Sequence, residues 1–139
     1  MQFSTRGLNI MVADADRTVL EMLQIRLGVA GYHASVVRTG QTALEAISHA
    51  RPAGLVLELN LPDMSGHEVL EALKAANDGT SIPVLVIGRK FAPEDIRRAV
   101  SLGARDCMTK PFSGAELLER LTRMLKPKPS APDRKVVLV

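Results

Sequence analysis

Short apolar runs alternate five times along the chain with segments in which apolar residues recur at helical spacing. Continuous apolar runs that end at a turn are typical of buried parallel strands, and the recurring pattern is typical of amphipathic helices. The alternation therefore predicts an α/β fold, a doubly wound (βα)5 sandwich with a five-stranded parallel sheet and helices on both faces. The predicted strands are residues 8–13, 32–37, 54–58, 84–87 and 106–109.

The predicted helices begin and end at recognisable capping and breaking residues. Gly31 terminates the first helix and Pro52 stops the second. Pro93 suits the first turn of the fourth helix, and the two acids after it suit the positive end of the helix dipole. Ser113, with Glu116 three residues later, forms a capping box for the fifth helix. The third helix is expected to end near residues 77–79, and the fourth near 103.

The third predicted strand ends in a carboxylate, Glu58, which is followed by a loop containing proline and glycine. In an open α/β sheet, ligands bind beyond the carboxyl ends of the strands. Right-handed crossovers bring the ends of the first, third, fourth and fifth strands toward one edge of the sheet. A candidate site is therefore predicted there, formed by residues just past the strand ends. These residues are Asp14, Asp16, Glu58, Gly88 and Lys110.

The composition fits one globular domain and places the excess positive charge in a tail. The chain has 139 residues, of which 46% are hydrophobic and 24% charged. The formal net charge of +3 belongs to the residues from Lys126 onward, so the body shows no basic bias of the kind that nucleic-acid binding favours. We predict a domain over 1–125 and a Pro-rich basic linker or tail over 126–139. The apolar residues 136–139 would be the first strand of a further domain, an added edge strand or a frayed end, and their apolar character favours a longer natural chain.

The sequence indicates no membrane segment, no disulfide and no histidine metal site. No apolar run has the length of a membrane span, and the first residues lack the apolar core of a secretory signal. Cys107 is the only cysteine, which excludes an internal disulfide and fits a reducing cytosol, so we expect a cytoplasmic protein. Cys107 is expected to be a small buried filler and not a redox centre. His33, His49 and His67 lack the spacing of metal ligands.

Five short segments, in this order and spacing, resemble the receiver domain of bacterial two-component response regulators. They are residues 12–16 (VADAD), 59–66 (LNLPDMSG), 82–84 (IPV), 103–106 (GARD) and 109–112 (TKPF). The resemblance covers residues 8–125 and implies a flavodoxin-like fold without enzymatic activity of its own. In this family a histidine kinase passes a phosphoryl group to an aspartate, and two further acids help that aspartate to hold Mg2+. A Thr or Ser and a Lys bind the phosphoryl oxygens, and an aromatic residue rotates inward on activation.

The chain keeps part of this pattern and departs from the rest. Asp14 matches the first acid, and Lys110-Pro111 matches the family's lysine and proline, whose peptide bond is usually cis. Ala15 replaces the second acid, Glu58 the phosphoacceptor aspartate, Gly88 the Thr or Ser, and Cys107 the switching aromatic.

These substitutions change the chemistry that the resemblance implies. Mg2+ prefers oxygen ligands in octahedral geometry, Ala15 supplies none, and Asp16 could reach the pocket only after a loop rearrangement, so we expect weak or absent Mg2+ binding. The longer Glu58 displaces the in-line geometry of phosphoryl transfer and reaches toward Lys110, which predicts an ion pair. Glu58 would be a permanent charge substitute or a plain structural carboxylate. Asp14 would pair with Lys110, cap the first helix or belong to a metal site.

We therefore expect a pseudo-receiver that acts without phosphorylation, as a protein–protein interaction module in bacterial signalling. Its partner would be a kinase, an output domain or another signalling protein, and a homodimer could form through the fourth helix and fifth strand. The alternatives are a weakly active Mg2+-dependent phosphoacceptor and a module that binds a cyclic dinucleotide. The interaction surface would be a solvated face or a recognition surface around the fourth helix. Its basic residues are Arg89, Lys90, Arg97, Arg98 and Arg105.

Overall fold

A computed structural model describes residues 4, 6–76 and 81–127 of the chain. Its elements are β1 (Asn9–Ala13), α1 (Arg17–Val29), β2 (His33–Val37), α2 (Gly40–His49), β3 (Gly54–Glu58), α3 (Gly66–Ala76), β4 (Val84–Gly88), α4 (Pro93–Ser101), β5 (Asp106–Thr109) and α5 (Gly114–Leu125). The strands pair in parallel in the order β2-β1-β3-β4-β5, which confirms the predicted (βα)5 fold. The predicted end of the third helix and residues 128–139 of the predicted tail lie outside the described residues.

The sheet separates two hydrophobic clusters because successive side chains of a strand point to opposite faces. All five residues of the central strand β3 are buried. Leu55 and Leu57 pack in the cluster under α2, α3 and α4. Val56 packs in the cluster under α1 and α5. Burial on both faces explains why β3 is a continuous apolar run, and it fixes the position of Glu58 at the carboxyl end of the strand.

The capping signals in the sequence have the predicted roles. Ser113 Oγ accepts a hydrogen bond from Glu116 N at 3.0 Å, and Glu116 Oε1 accepts one from Ser113 N at 3.3 Å. Pro93 is the first residue of α4. Gly31 and Gly103 follow α1 and α4 with φ of 95° and 105°, a left-handed conformation that favours glycine. Among the helices of the described residues, none has the length and apolar character needed to cross a membrane.

Candidate functional site

The carboxyl ends of β1, β3 and β5 bring three charged side chains into contact. Lys110 Nζ lies 2.7 Å from Asp14 Oδ2 and 2.6 Å from Glu58 Oε1. Asp14 is 2% exposed and Glu58 is 5% exposed, so both carboxylates are buried. The ion pair predicted between Glu58 and Lys110 is thus present, and Asp14 makes a second one with the same ammonium group. The Lys110–Pro111 peptide bond is cis, as the resemblance implied.

Every oxygen of the two buried carboxylates accepts a hydrogen bond from within the protein. Asp14 Oδ1 accepts from the backbone N–H of Asp16 at 2.9 Å, and Glu58 Oε2 accepts from the backbone N–H of Asn60 at 2.8 Å. Lys110 donates to the other oxygen of each group. Buried charges persist only when they are paired and hydrogen-bonded, and this arrangement satisfies both conditions.

Asp14 and Glu58 stabilise the charged form of Lys110. Burial alone would lower the pKa of the ammonium group, because a desolvated charge is disfavoured. The hydrogen bonds and negative charges of Asp14 and Glu58 act in the opposite direction and outweigh burial, so the pKa of Lys110 is raised. Lys110 is therefore a fixed cation at neutral pH, and it neutralises part of the negative charge of the site.

Asp16 serves the first helix and not the ion pairs. Its Oδ1 accepts hydrogen bonds from the backbone N–H groups of Thr18 at 2.9 Å and Val19 at 3.4 Å, which makes it the N-cap of α1. Of the three roles proposed for Asp14, the structure shows pairing with Lys110. Within the described ranges, no group of three or more His, Cys, Asp or Glu side chains is arranged to hold a metal ion. A cavity of about 230 Å³ beside these groups is lined by Asp14, Ala15, Asp16, Glu58, Asn60, Arg89 and Lys110.

Gly88 ends β4 directly beside Glu58. A Cβ atom added there would lie 3.3 Å from Phe91 Cζ and 3.5 Å from Glu58 Oε2. The first distance is tighter than most carbon contacts, so a side chain at position 88 would require the Phe91 ring to shift. The absence of a side chain at Gly88 therefore allows an aromatic ring from the loop after β4 to approach the strand end.

Cys107 lies on β5 and is half-buried against the cluster under α2, α3 and α4. Burial raises the pKa of its thiol, and the negative charge of Asp106 raises it further. A raised pKa keeps the sulfur protonated and therefore poorly nucleophilic at neutral pH. The prediction of a small filler is consistent with this position, although the side chain is less completely enclosed than expected.

The five basic residues predicted to form one surface are all exposed, and three of them have different neighbours. Arg98 Nη2 lies 3.0 Å from Glu71 Oε1 on α3. Arg105 Nη1 donates to the carbonyl oxygen of Met124, near the end of α5, at 3.3 Å. Arg89 lines the cavity at the strand ends. The set therefore divides between α3, α5 and the candidate site, because the loops that flank α4 leave the sheet at opposite ends.

Asp63 is a structural residue that the sequence did not reveal. Its Oδ1 accepts from the backbone N–H of Gly40 at 2.8 Å and its Oδ2 from that of Gln41 at 2.9 Å. These bonds attach the loop after β3 to the first turn of α2, and Met64 packs over Gly40, where any side chain would require Met64 to move. The hydrogen bonds from Gly40 and Gln41 lower the pKa of the Asp63 carboxyl.

Replacing Asp63 with alanine is expected to lower the urea midpoint of unfolding at pH 7, because two N–H groups at the start of α2 lose their acceptor. A lowered pKa means that the carboxylate stabilises the fold above the ordinary aspartate pKa of about 3.9 and loses that effect as the pH falls through the folded value. The difference between wild type and D63A should therefore shrink in acid. E21A, which removes an exposed acid from α1, is the matched control. An equal effect of both substitutions at pH 7 would contradict the role of Asp63.

Comparison with known proteins agrees with this architecture. The chain matches the response regulator receiver domain family over residues 10–122. The transcriptional regulatory protein KdpE of Mycobacterium tuberculosis is 38% identical over 112 residues, which are 81% of this chain and 48% of KdpE. Response regulator MprA of Mycobacterium ulcerans is 34% identical over 120 residues, which are 86% of this chain and 51% of MprA. The chain thus spans about half the length of these relatives.

Solved structures show the same fold. The chemotaxis response regulator CheY4 of Vibrio cholerae superposes with a TM-score of 0.79 at 25% identity, over 85% of this chain and 98% of CheY4. The receiver domain of a signal transduction histidine kinase from Syntrophus aciditrophicus gives 0.77 at 27% identity, over 90% of this chain and 99% of that domain. The resemblance deduced from the five sequence segments is therefore confirmed.

Proposed function

The chain belongs to the response regulator receiver domain family, a class of signalling modules in two-component systems, and we propose that it is a pseudo-receiver that works without phosphorylation. The observation that supports this function is the internal closure of the site. Lys110 bridges Asp14 and Glu58, and each of the four carboxylate oxygens already has a donor. The groups that would have to bind a metal ion and accept a phosphoryl group instead form ion pairs with Lys110.

The residues of the site do not fit Mg2+. The ion needs oxygen ligands in near-ideal octahedral geometry, and it usually takes one or two carboxylates with water and phosphate oxygens. Ala15 offers no ligand, and Asp16 uses its carboxylate to cap α1. To bind the ion, Asp14 and Glu58 would have to give up bonds of 2.7 Å and 2.6 Å to an ammonium group that burial and charge hold in place.

Glu58 is poorly placed to act as a nucleophile. Phosphoryl transfer depends on positioning and in-line attack. The extra methylene of Glu58 brings Oε1 against Lys110, while Oε2 is held by the N–H of Asn60. Beside it, Gly88 has no hydroxyl with which to follow a phosphoryl group, and Phe91 fills part of the adjacent space. These features favour a structural carboxylate over a phosphoacceptor.

The proposed action is contact with another protein or domain: a kinase, an output domain, or a second copy of the chain. Two large apolar side chains of α4, Ile96 and Val100, are 41% and 55% exposed and lie one turn apart on this helix. An exposed apolar pair with Arg97 between its members suits a protein interface better than a purely solvated face. This observation supports α4 as part of the contact surface of the expected homodimer.

Incubation of the purified chain with Mg2+ and a small phosphodonor tests the proposal. We expect intact-mass spectrometry to show no phosphoryl adduct, because the candidate acceptor is hydrogen-bonded through both oxygens. A phosphate-accepting receiver, treated in parallel, controls for the activity of the donor. An adduct on the wild-type chain that disappears in E58Q would overturn the proposal.

A further inference from the structure

The segment between β4 and α4 connects the candidate site to the proposed interaction helix. It starts at Gly88, beside Glu58, and reaches the first turn of α4 within a few residues. We infer that Phe91 and His67 form an internal clamp that holds this segment and the start of α4 in one arrangement. The inference rests on the proposed function and deepens it, because it specifies what keeps the module in a single state.

Phe91 anchors the segment from its own side. The ring packs against the hydrophobic cluster under α2, α3 and α4, and its Cζ lies close to the backbone of Gly88. Because Gly88 has no Cβ, the ring occupies space that any other residue at that position would use. Displacement of the segment would therefore remove apolar surface from the core and open a gap beside Glu58, both of which are unfavourable.

His67 holds the start of α4 from the neighbouring helix. It lies in the first turn of α3, is buried, and its Nε2–H donates to the carbonyl oxygen of Asp95 at 3.0 Å. The Asp95 side chain in turn accepts from the backbone N–H of Ala92 at 2.9 Å. Asp95, in the first turn of α4, is thus bonded both to α3 and to the end of the preceding segment.

The two anchors act on the same short stretch, one through a ring of the segment itself and the other through a hydrogen bond from α3. If α4 moved away from α3, the buried His67 would lose its acceptor, and a buried polar group without a partner is costly. If the segment moved outward, the Phe91 ring would leave the core. Cooperative packing of this kind makes the local opening free energy larger than that of a loop held by solvent-exposed bonds.

Amide hydrogen exchange on the full 139-residue chain tests the clamp. In F91A, exchange over residues 89–97 should accelerate at least about tenfold relative to wild type, because a half-buried ring is lost. In H67L, leucine fills the buried position but cannot donate a hydrogen bond. Exchange over residues 89–97 should then accelerate roughly fivefold, because one hydrogen bond is lost. H67Q, whose amide can still donate to the Asp95 carbonyl, should keep most of the protection.

A matched control separates the clamp from general loosening. Leu118 is half-buried in the cluster on the other face of the sheet, so L118A should leave residues 89–97 as protected as in the wild type. Unchanged exchange over 89–97 in F91A, or equal acceleration across the whole chain in F91A and L118A, would overturn the inference. Failure here is distinguishable from failure of the proposed function, because the latter is read from the phosphoryl adduct and not from exchange rates.

Discussion

Lys110→Met is expected to lower the free energy of unfolding by about 3–5 kcal/mol at neutral pH, as measured by urea denaturation. The substitution leaves two buried carboxylates, Asp14 and Glu58, facing one another without the cation that bonds to both. Breaking a buried ion pair from one side is strongly unfavourable because the remaining charge has neither water nor a partner. Here two charges would be stranded instead of one.

Two comparisons make this prediction specific. K90M removes an exposed lysine near the same edge of the sheet and should change stability by less than about 0.5 kcal/mol. E58Q/K110M removes one stranded charge together with the cation, so it should recover part of the loss. If K110M proved as stable as K90M, the ion pairs would not be holding the site together.

The pH dependence of the stability difference between wild type and K110M follows from the raised pKa of Lys110. A folded pKa above the unfolded one stabilises the protein fully below the ordinary lysine value of about 10.4, and the effect is lost as the pH rises through the folded value. As the pH rises from neutrality, the stability difference between wild type and K110M should therefore stay constant at first and narrow in strong alkali. Narrowing on this alkaline side that begins near neutrality would point to a different titrating group.

The fold was predictable from the sequence because the evidence for it is local. The buried run at β3, Pro93 at the start of α4 and the Ser113–Glu116 capping box each specify an element through neighbouring residues alone. The convergence of Glu58 and Lys110 also followed, since the topology of a parallel α/β sheet places successive strand ends at one edge. The fold and this convergence could therefore be predicted from the apolar periodicity, the capping residues and the direction of the chain.

The remaining contacts depend on how the loops and helices are arranged in three dimensions. Asp14 and Asp16 both follow β1, and only the loop geometry decides that Asp16 caps α1 while Asp14 pairs with Lys110. Asp63 reaches α2 across a separation of 23 residues, and His67 reaches Asp95 across 28. No periodic pattern records such pairs, because each is a single contact between elements whose relative placement is set by the whole core.

In the proposed pseudo-receiver, the fold is kept while phosphoryl transfer is absent. A buried acidic pocket without a metal ion must be neutralised in another way, and the reach of Glu58 lets Lys110 serve both carboxylates. In the proposed pseudo-receiver, this arrangement pairs the charges of the site within the chain, without an added ion.

Reversal of the substitutions should restore phosphoryl acceptance. In A15D/E58D/G88S, position 58 loses its extra methylene, position 15 gains an oxygen ligand and position 88 gains a hydroxyl. With Mg2+ and a small phosphodonor, we expect the labelling rate to exceed that of the wild type by about 10²-fold or more, because misplacement of reacting groups by about 1 Å already has an effect of that size. Intact mass, followed over time, measures the single adduct.

Single substitutions should label less than the triple variant. E58D alone frees the acceptor from Lys110 but leaves Ala15 without a ligand oxygen, so it should label little more than wild type. The amide variant A15N/E58N/G88S matches the triple substitution in size but has no carboxylate at position 15 or 58, so it should not label at all. Because a side chain at position 88 requires Phe91 to yield, F91A in the triple background should raise labelling further. A folded triple variant that stays unlabelled would show that features beyond these three positions have closed the site.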